Sequence, residues 1–284
     1  MDVDAPPNTP PSHAVHDPRR LRLALRSRIG RMYATTDDFV QVGPLSLPFT
    51  RIADPNIVLD QAAEAEGRRD RDTGTSHVGD ELHLPYWAQL WESSLGMGAF
   101  LVHHWAQMYP TDHPSEVARL AKRLMSQPGR ARVLDLGCGM GLTGAVAARL
   151  GAQVTFADLE PAALLFARLN SLRDGAHCHY RRLNWRTDTL GRRFDLILGA
   201  DVLYERRQWE PLDRFFRQHL APGGAVLLGE PGRVTGDDYP AWITPRGWQL
   251  EQFNQVRPDG KTIRVFQLTT LGGNADCQFP IGER

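Results

Sequence analysis

The residues with the clearest chemical potential are a run of glycines and the acids on either side of it. Residues 139–144, GMGLTG, form a literal G-x-G-x-x-G. Glycines in this position after a strand let the backbone approach a bound nucleotide where any Cβ would collide. Asp135 precedes the run, and Asp158 follows it about 20 residues on, where a carboxylate can accept hydrogen bonds from both ribose hydroxyls. The pattern predicts a site for a nucleotide-type cofactor.

A second candidate pair, Asp201 and Tyr204, directly follows the apolar segment FDLILGA. We expect this pair at the carboxyl edge of a sheet, where α/β folds bind ligands. A carboxylate and a phenol at such an edge can hold a ligand by hydrogen bonds. For Asp201 the alternative is a helix N-cap. For Tyr204 the alternatives are ordinary aromatic packing and, slightly favoured, the lining of a ligand channel through a cation–π contact.

The segments around these residues predict an α/β fold. From residue 130 the pattern alternates between strands and helices, which implies a parallel sheet with right-handed crossovers. The expected strands are RVLDLG, QVTFAD, CHYRRLNW, FDLILGADVLY and AVLLGE, and the helix QWEPLDRFFRQHLAPGG is expected to stop at its Pro-Gly-Gly. The segment WQLEQFNQVRPDGKTIRVFQLTTL then predicts a hairpin that adds an antiparallel strand.

The chain before this alternation predicts a tail and an extension. Residues 1–18 are polar and proline-rich, and we expect them to be disordered. Within residues 19–82, RRLRLALRSRIGRMY predicts a helix, DDFVQVGPLSLPFTRIADP a strand pair and EAEGRRDRDTGTSHVGDE a charged loop. This extension could shape substrate access, mediate dimerisation or cover the sheet edge. We expect one catalytic domain over residues 83–270, opening with an approach loop and a buried helix, and a C-terminal tail at 271–284.

Composition excludes several classes of function. The formal net charge is zero, so no global field attracts nucleic acid or anionic lipid. Three cysteines fit a reducing compartment, and no apolar run approaches the 18 residues of a membrane span. The N-terminus has no signal-peptide pattern, so we expect a soluble, cytoplasmic protein. We expect no metal site, because the consecutive residues His177, Cys178 and His179 point alternately to opposite faces of a strand.

The cofactor is either a nicotinamide dinucleotide or S-adenosylmethionine. A dinucleotide fold needs a second set of βαβ units, whereas this chain finishes in a hairpin after one set. Asp135 also has no role in a dinucleotide site. With S-adenosylmethionine, Asp135 would help to hold the loop and the cationic ammonium group of the cofactor. The sequence therefore favours S-adenosylmethionine.

With these residues in place, the chain resembles class I S-adenosylmethionine-dependent methyltransferases. More narrowly, it is similar to the lysine methyltransferases of the seven-β-strand group called methyltransferase family 16. Besides the glycine loop, the match rests on LPYWAQLWESSLGMGAFL, LNWR, ADVLYE and LLGEPGR, the last being close to the branch that modifies the electron-transfer flavoprotein β-subunit. It covers roughly residues 83–270. The resemblance implies a Rossmann-like, mostly parallel seven-stranded sheet with an antiparallel C-terminal hairpin strand, to which the N-terminal helix and β-arm are added.

The resemblance also implies roles for individual residues. The expected cofactor contacts are Trp91, Asp135, Gly137, Gly139, Gly141, Asp158, Asn184, Trp185 and Asp201. Asp201 and Tyr204 are the expected catalytic residues. Asn184 replaces the family's usual aspartate, although its amide oxygen can still accept from the adenine amino group. Trp91 and Glu92 are expected in a cofactor-side lid, Trp185 beside the adenine, and Arg233 either at the substrate or paired with a surface carboxylate.

The implied reaction is direct in-line transfer of a methyl group to an amine, most simply a lysine presented by a protein substrate. Two alternatives stay open: a small-molecule N- or O-methyltransferase, and a catalytically silent scaffold that binds S-adenosylmethionine.

Overall fold

The computed structural model describes residues 17–73, 84–108, 131–173 and 178–270. The predicted tails, apart from residues 17 and 18, lie outside the described residues. The same is true of His177 and of the charged loop beyond residue 73.

The centre of the molecule is a seven-stranded sheet in the order β5-β4-β3-β6-β7-β9-β8. Its strands are β3 (Arg132–Leu136), β4 (Gln153–Asp158), β5 (Cys178–Arg182), β6 (Phe194–Ala200), β7 (Leu220–Glu230), β8 (Trp248–Val256) and β9 (Thr262–Thr270). The first five are mutually parallel, and β9 is antiparallel to both β7 and β8. This confirms the predicted mostly parallel sheet with an antiparallel strand from the C-terminal hairpin.

Helices cover both faces of this sheet. The helices are α3 (Glu92–Met108), α4 (Leu142–Arg149), α5 (Pro161–Asn170), α6 (Trp209–His219) and α7 (Val234–Ile243). The first three share one apolar core, and α6 and α7 share another. Successive strand residues point to opposite faces, so Val133 packs into the first core and Leu134 into the second.

The N-terminal extension forms α1 (Pro18–Gly30), the hairpin of β1 (Thr35–Val42) and β2 (Leu45–Ile52), and α2 (Pro55–Thr73). The predicted helix and strand pair are confirmed. The hairpin is a separate two-stranded sheet and packs on α5. The Asn170 side chain donates to the carbonyls of Thr50, at 3.0 Å, and Met140, at 2.9 Å. The extension is thereby joined to the glycine loop.

Two predictions of local structure were wrong, and one helix was not predicted. The segment from Glu64 to Thr73 is the second half of α2 and not a loop, because its Ala, Glu and Arg residues favour a helix and Arg68 pairs with Glu64 one turn away. Helix α7 was not predicted, since Gly236 and Pro240 lower its helix propensity; the burial of its apolar side compensates. Helix α6 ends at residue 219, before the predicted Pro-Gly-Gly, because the chain from residue 220 already pairs with β6.

No helix in the described ranges combines the length and apolar character needed to cross a membrane.

Candidate active site

The site lies at the carboxyl ends of β3 and β6. These strands are neighbours in the sheet, although β4 and β5 separate them in the chain. Such a change in strand order opens a crevice in which α/β folds bind ligands. A cavity of about 270 Å³ occupies this position. All the residues predicted as cofactor contacts or catalytic residues line it: Trp91, Asp135, Gly137, Gly139, Gly141, Asp158, Asn184, Trp185, Asp201 and Tyr204.

The glycine loop between β3 and α4 needs its glycines. Gly137, Gly139 and Gly141 have φ angles of +65°, +51° and +85°, a left-handed backbone that disfavours other residues. A Cβ on Gly141 would lie 2.7 Å from Cα of Ala167 on the neighbouring helix. The loop therefore presents bare backbone to the cavity, which suits close approach of a cofactor.

Gly141→Ala is expected to lower the free energy of unfolding by about 2–5 kcal/mol. Alanine is strained at the left-handed φ of this position, and its Cβ would collide with Ala167. Gly247→Ala is the matched control, because Gly247 has the same φ of +85° and a Cβ added there would meet no other atom within 4 Å. The control should lose only about 1–2 kcal/mol. Chemical denaturation of both variants measures the difference, and equal losses would contradict the importance of the contact with Ala167.

Two buried carboxylates flank the loop. Asp135 accepts a hydrogen bond from the Gly144 backbone N–H at 2.8 Å, and burial raises its pKa to about 7. Asp158 accepts from the backbone N–H groups of Gly139, at 2.8 Å, and Glu160, at 2.9 Å, and burial raises its pKa to about 6. Neither acid has an ion-pair partner among the described residues. Buried acids without a cation favour a positively charged ligand with hydroxyl groups, and S-adenosylmethionine has both features.

The affinity for S-adenosylmethionine is expected to rise with pH. A cationic ligand stabilises the ionised carboxylates, so binding releases protons and weakens below the raised pKa values of Asp135 and Asp158. Between about pH 5.5 and 7.5 the dissociation constant should fall at least about tenfold. Calorimetric titration at several pH values measures this. In Asp135→Asn the dissociation constant should depend less on pH near pH 7. A pH-independent affinity in the unaltered protein would contradict the binding of a cationic ligand by ionised Asp135 and Asp158.

We call the part of the cavity lined by Asp201, Tyr204, Tyr86 and Trp91 its mouth. Asp201 has a left-handed backbone with φ +61°. Its Oδ2 accepts from Nη2 of Arg233 at 2.8 Å. Burial raises the pKa of Asp201 above its ordinary value, although the Arg233 guanidinium opposes this. The helix N-cap alternative was wrong, since the next α-helix is capped at Gln208. The predicted pairing of Arg233 with a surface carboxylate was wrong, because its partner Asp201 is buried. Its other predicted role, at the substrate, stays a prediction.

Tyr204 lies beside other aromatic rings at the mouth. Its ring centroid is 5.8 Å from that of Tyr86, whose own ring meets Trp91 at 6.1 Å. The Trp91 indole N–H donates to the Tyr86 carbonyl at 2.8 Å. Burial raises the pKa of Tyr204 to about 12, so it remains a neutral phenol at physiological pH.

On the other side of the cavity, Trp185 and Asn184 follow β5. The Trp185 indole N–H donates to Oε1 of Gln208 at 3.1 Å, which fixes the ring close to Gly137. The Asn184 amide oxygen accepts from the Arg186 backbone N–H at 3.0 Å. One lone pair of that oxygen therefore stabilises the turn, and the second lone pair can accept a hydrogen bond from a ligand.

The predicted place of Glu92 was wrong. Its carboxylate pairs with Lys261 and, at 3.7 Å, with Arg257, both at the turn between β8 and β9. Glu92 therefore ties α3 to the hairpin and does not line the cavity. The partner Lys261 lies 169 residues further along the chain, where no local pattern signals the contact.

Among the cavity-lining residues that the sequence analysis did not predict are Tyr86, Glu160 and Gln208. Glu160 has a sequence signal, since it is a second acid just beyond the end of β4. Tyr86 lies five residues before Trp91, in a segment that carries the family resemblance, so the resemblance could have indicated it. Gln208 has no such signal, because the folding of the chain brings it to the cavity.

The described parts of the chain contain no group of three or more His, Cys, Asp or Glu side chains arranged to hold a metal ion.

The sheet order, the glycine loop after its first strand and the acid at the end of the next strand are those of class I S-adenosylmethionine-dependent methyltransferases. The family model described as lysine methyltransferase matches residues 85–238, more than half of the chain. The chain belongs to this lysine methyltransferase family, and its cofactor is S-adenosylmethionine.

Curated relatives match a shorter part of the chain. The ubiquinone biosynthesis O-methyltransferase of Xanthomonas axonopodis pv. citri is 34% identical over 146 residues, which are 48% of this chain and 60% of that protein. The protein of the same name from Xanthomonas euvesicatoria pv. vesicatoria is 36% identical over 41% of this chain and 53% of its own length. The chain thus spans little more than half the length of these relatives.

Among solved structures, the chain is similar to a 1,6-didemethyltoxoflavin-N1-methyltransferase from Burkholderia thailandensis. That structure has a TM-score of 0.45 and 16% identity, over 82% of this chain and 98% of the other. A TehB-like SAM-dependent methyltransferase from Corynebacterium glutamicum has a TM-score of 0.41 and 22% identity, over 61% and 98% of the two chains.

Proposed function

We propose that this protein transfers a methyl group from S-adenosylmethionine to an amine, and that the amine is a lysine side chain of a protein substrate. The observation that carries the proposal is that the predicted cofactor-binding residues and the predicted catalytic residues line one and the same cavity. The glycine loop and two buried carboxylates form one part, and Asp201 and Tyr204 form the mouth. A cofactor and an acceptor bound there would be neighbours.

In this proposal the chain holds the cofactor through several parts of the cavity. Asp158 accepts from the ribose hydroxyls, and Asp135 with the glycine loop favours the cationic amino-acid end. Trp185 and Asn184 contact the adenine, and Trp91 covers the site from the side of α3. When bound, S-adenosylmethionine supplies an electrophilic methyl group on a sulfonium sulfur.

The acceptor would be oriented by Asp201 and Tyr204. Arg233 pairs with the Asp201 carboxylate through Oδ2, and in this proposal the amine donates a hydrogen bond to the same carboxylate. The carboxylate attracts the ammonium form, and the proton passes to water before the lone pair reacts. Most of the rate enhancement would come from holding the amine against the methyl group and removing its solvent.

A lysine acceptor is supported by the aromatic lining of the mouth and by the family to which the chain belongs. Tyr86, Trp91 and Tyr204 line the cavity, and the Tyr86 ring meets each of the other two edge-on. Tyr86 is 41% exposed. Aromatic rings bind an alkylammonium group through cation–π contacts while packing against its methylene groups.

A small-molecule acceptor is the second candidate. It is supported by the curated relatives, which are named as ubiquinone biosynthesis O-methyltransferases. The third candidate, a scaffold that binds the cofactor without turnover, is disfavoured by the intact Asp201 and Tyr204 at the cavity mouth.

The experiment is transfer of label from methyl-tritiated S-adenosylmethionine into a desalted lysate, with the Asp201→Asn variant in parallel. Addition of the low-molecular-mass filtrate of the same lysate provides the small-molecule acceptors. A labelled protein band that is absent with the variant supports the lysine proposal, and amino-acid analysis of the band must yield methyl-lysine. Label only in the small-molecule fraction favours the second candidate. Cofactor binding without any transfer favours the scaffold.

A further inference from the structure

Arg233 lies between two residues of the cavity mouth. On one side its guanidinium donates to Oδ2 of Asp201 at 2.8 Å, and on the other it lies 5.4 Å from the ring centroid of Trp91. The Asp201 side chain is only 6% exposed and that of Arg233 is 38% exposed, so solvent screens this ion pair from the arginine side alone. Arg233 itself does not line the cavity. It therefore contacts the proposed catalytic carboxylate from behind.

The backbone before Arg233 is held by one buried carboxylate, that of Glu230 at the end of β7. This side chain is 2% exposed and accepts from the backbone N–H groups of Gly232, at 2.9 Å, and Arg233. Arg264 on β9 donates to Glu230 at 2.6 Å and to the Arg233 carbonyl at 3.0 Å. These bonds fix the loop that carries Arg233, and each buried charge has an opposite charge beside it.

The contacts continue from Arg233 to the other side of the mouth. Trp91 is hydrogen-bonded to the Tyr86 carbonyl, and the Tyr86 ring packs edge-on against Tyr204. Arg233 thus contacts Asp201 directly and reaches Tyr204 through two packed aromatic residues.

We propose that Arg233 is a positioning residue, which fixes the Asp201 carboxylate and the Trp91 ring so that the acceptor amine meets a preformed mouth. This rests on the proposed function, since it requires Asp201 to orient the acceptor. A carboxylate without its guanidinium partner can rotate, and a displacement of about 1 Å at a reacting group can cost about 100-fold in rate.

The test compares Arg233→Gln and Arg233→Lys with the unaltered protein in the tritium transfer assay with desalted lysate. Arg233→Gln should lower the initial rate at saturating S-adenosylmethionine by about 10–100-fold. Its cofactor dissociation constant should stay within about twofold, because Arg233 does not line the cavity. Arg233→Lys should have a rate between those of Arg233→Gln and the unaltered protein, since lysine keeps the positive charge but lacks the planar guanidinium with its fixed donor geometry.

A second readout distinguishes positioning from a general structural effect. The charged groups facing Asp201 are Arg233 and Glu230. Removal of the guanidinium therefore raises the pKa of Asp201, and the acid limb of the rate profile should move to higher pH in Arg233→Gln. Carbon-13 NMR of the aspartate carboxyls should show the same shift without turnover, with the Asp201 signal identified by its loss in Asp201→Asn.

Arg246→Gln is the matched control. Arg246 is also 38% exposed and stacks on a tryptophan, with 3.8 Å between its guanidinium and the Trp242 ring centroid. It should keep the normal rate. A rate for Arg233→Gln within about twofold of the unaltered protein, an unmoved acid limb or an equal loss in Arg246→Gln would overturn the positioning role. Full activity of Asp201→Asn would instead overturn the proposed function on which it rests.

Discussion

Asp201→Asn is expected to lower methyl transfer at least about 100-fold while S-adenosylmethionine still binds. The substitution removes the negative charge that attracts the ammonium and accepts its hydrogen bond, and such a group typically contributes about 10²–10⁴-fold. Asparagine is the suitable replacement because the φ of +61° at this position is tolerated by Asn and disfavours most other residues. Its amide oxygen can also keep the hydrogen bond from Arg233. The transfer assay and a calorimetric titration measure the two effects separately.

Asp201→Ala should show the same loss of transfer together with a lower free energy of unfolding, since alanine at a left-handed position costs about 1–2 kcal/mol. Asp238→Asn serves as a surface control, because Asp238 is 64% exposed and should leave the rate unchanged. If Asp201→Asn keeps more than about a tenth of the normal rate, Asp201 is not the residue that orients the acceptor.

Asp158→Asn is expected to weaken the binding of S-adenosylmethionine by about 10²–10⁴-fold. Two ribose hydroxyls donating to a charged acceptor are worth about 1.5–3 kcal/mol each. The same oxygens hold the backbone N–H groups of Gly139 and Glu160. An asparagine NH₂ group would face one of these N–H groups, so the substitution also disturbs the glycine loop. Titration calorimetry gives the change in affinity.

Thermal unfolding of the free Asp158→Asn variant provides the necessary check that the fold persists. Asp259→Asn, at the turn between β8 and β9, removes another carboxylate outside the cavity and should bind the cofactor normally. An affinity of Asp158→Asn within about threefold of the unaltered protein would contradict the ribose assignment, even if methyl transfer were reduced.

The sequence by itself determined the alternation of strands and helices from β3 to β7, the C-terminal hairpin, the glycine loop and the acids beside it. These features depend on short stretches of chain: strands and helices have their own periodicities, and a left-handed turn favours glycine at that position. The carboxyl ends of parallel strands also meet at one edge, so Asp135, Asp158 and Asp201 could be expected near each other before any contact was known.

Only the tertiary structure decided which side chains pair. Asp201 and Arg233 are 32 residues apart, and Glu92 and Lys261 are 169 apart. Helix α7, with Gly236 and Pro240, likewise forms because its apolar side is buried against the sheet. Ion pairs and packing of this kind depend on the distance between side chains in space, and residue types along the chain carry no information about that distance until the sheet is assembled.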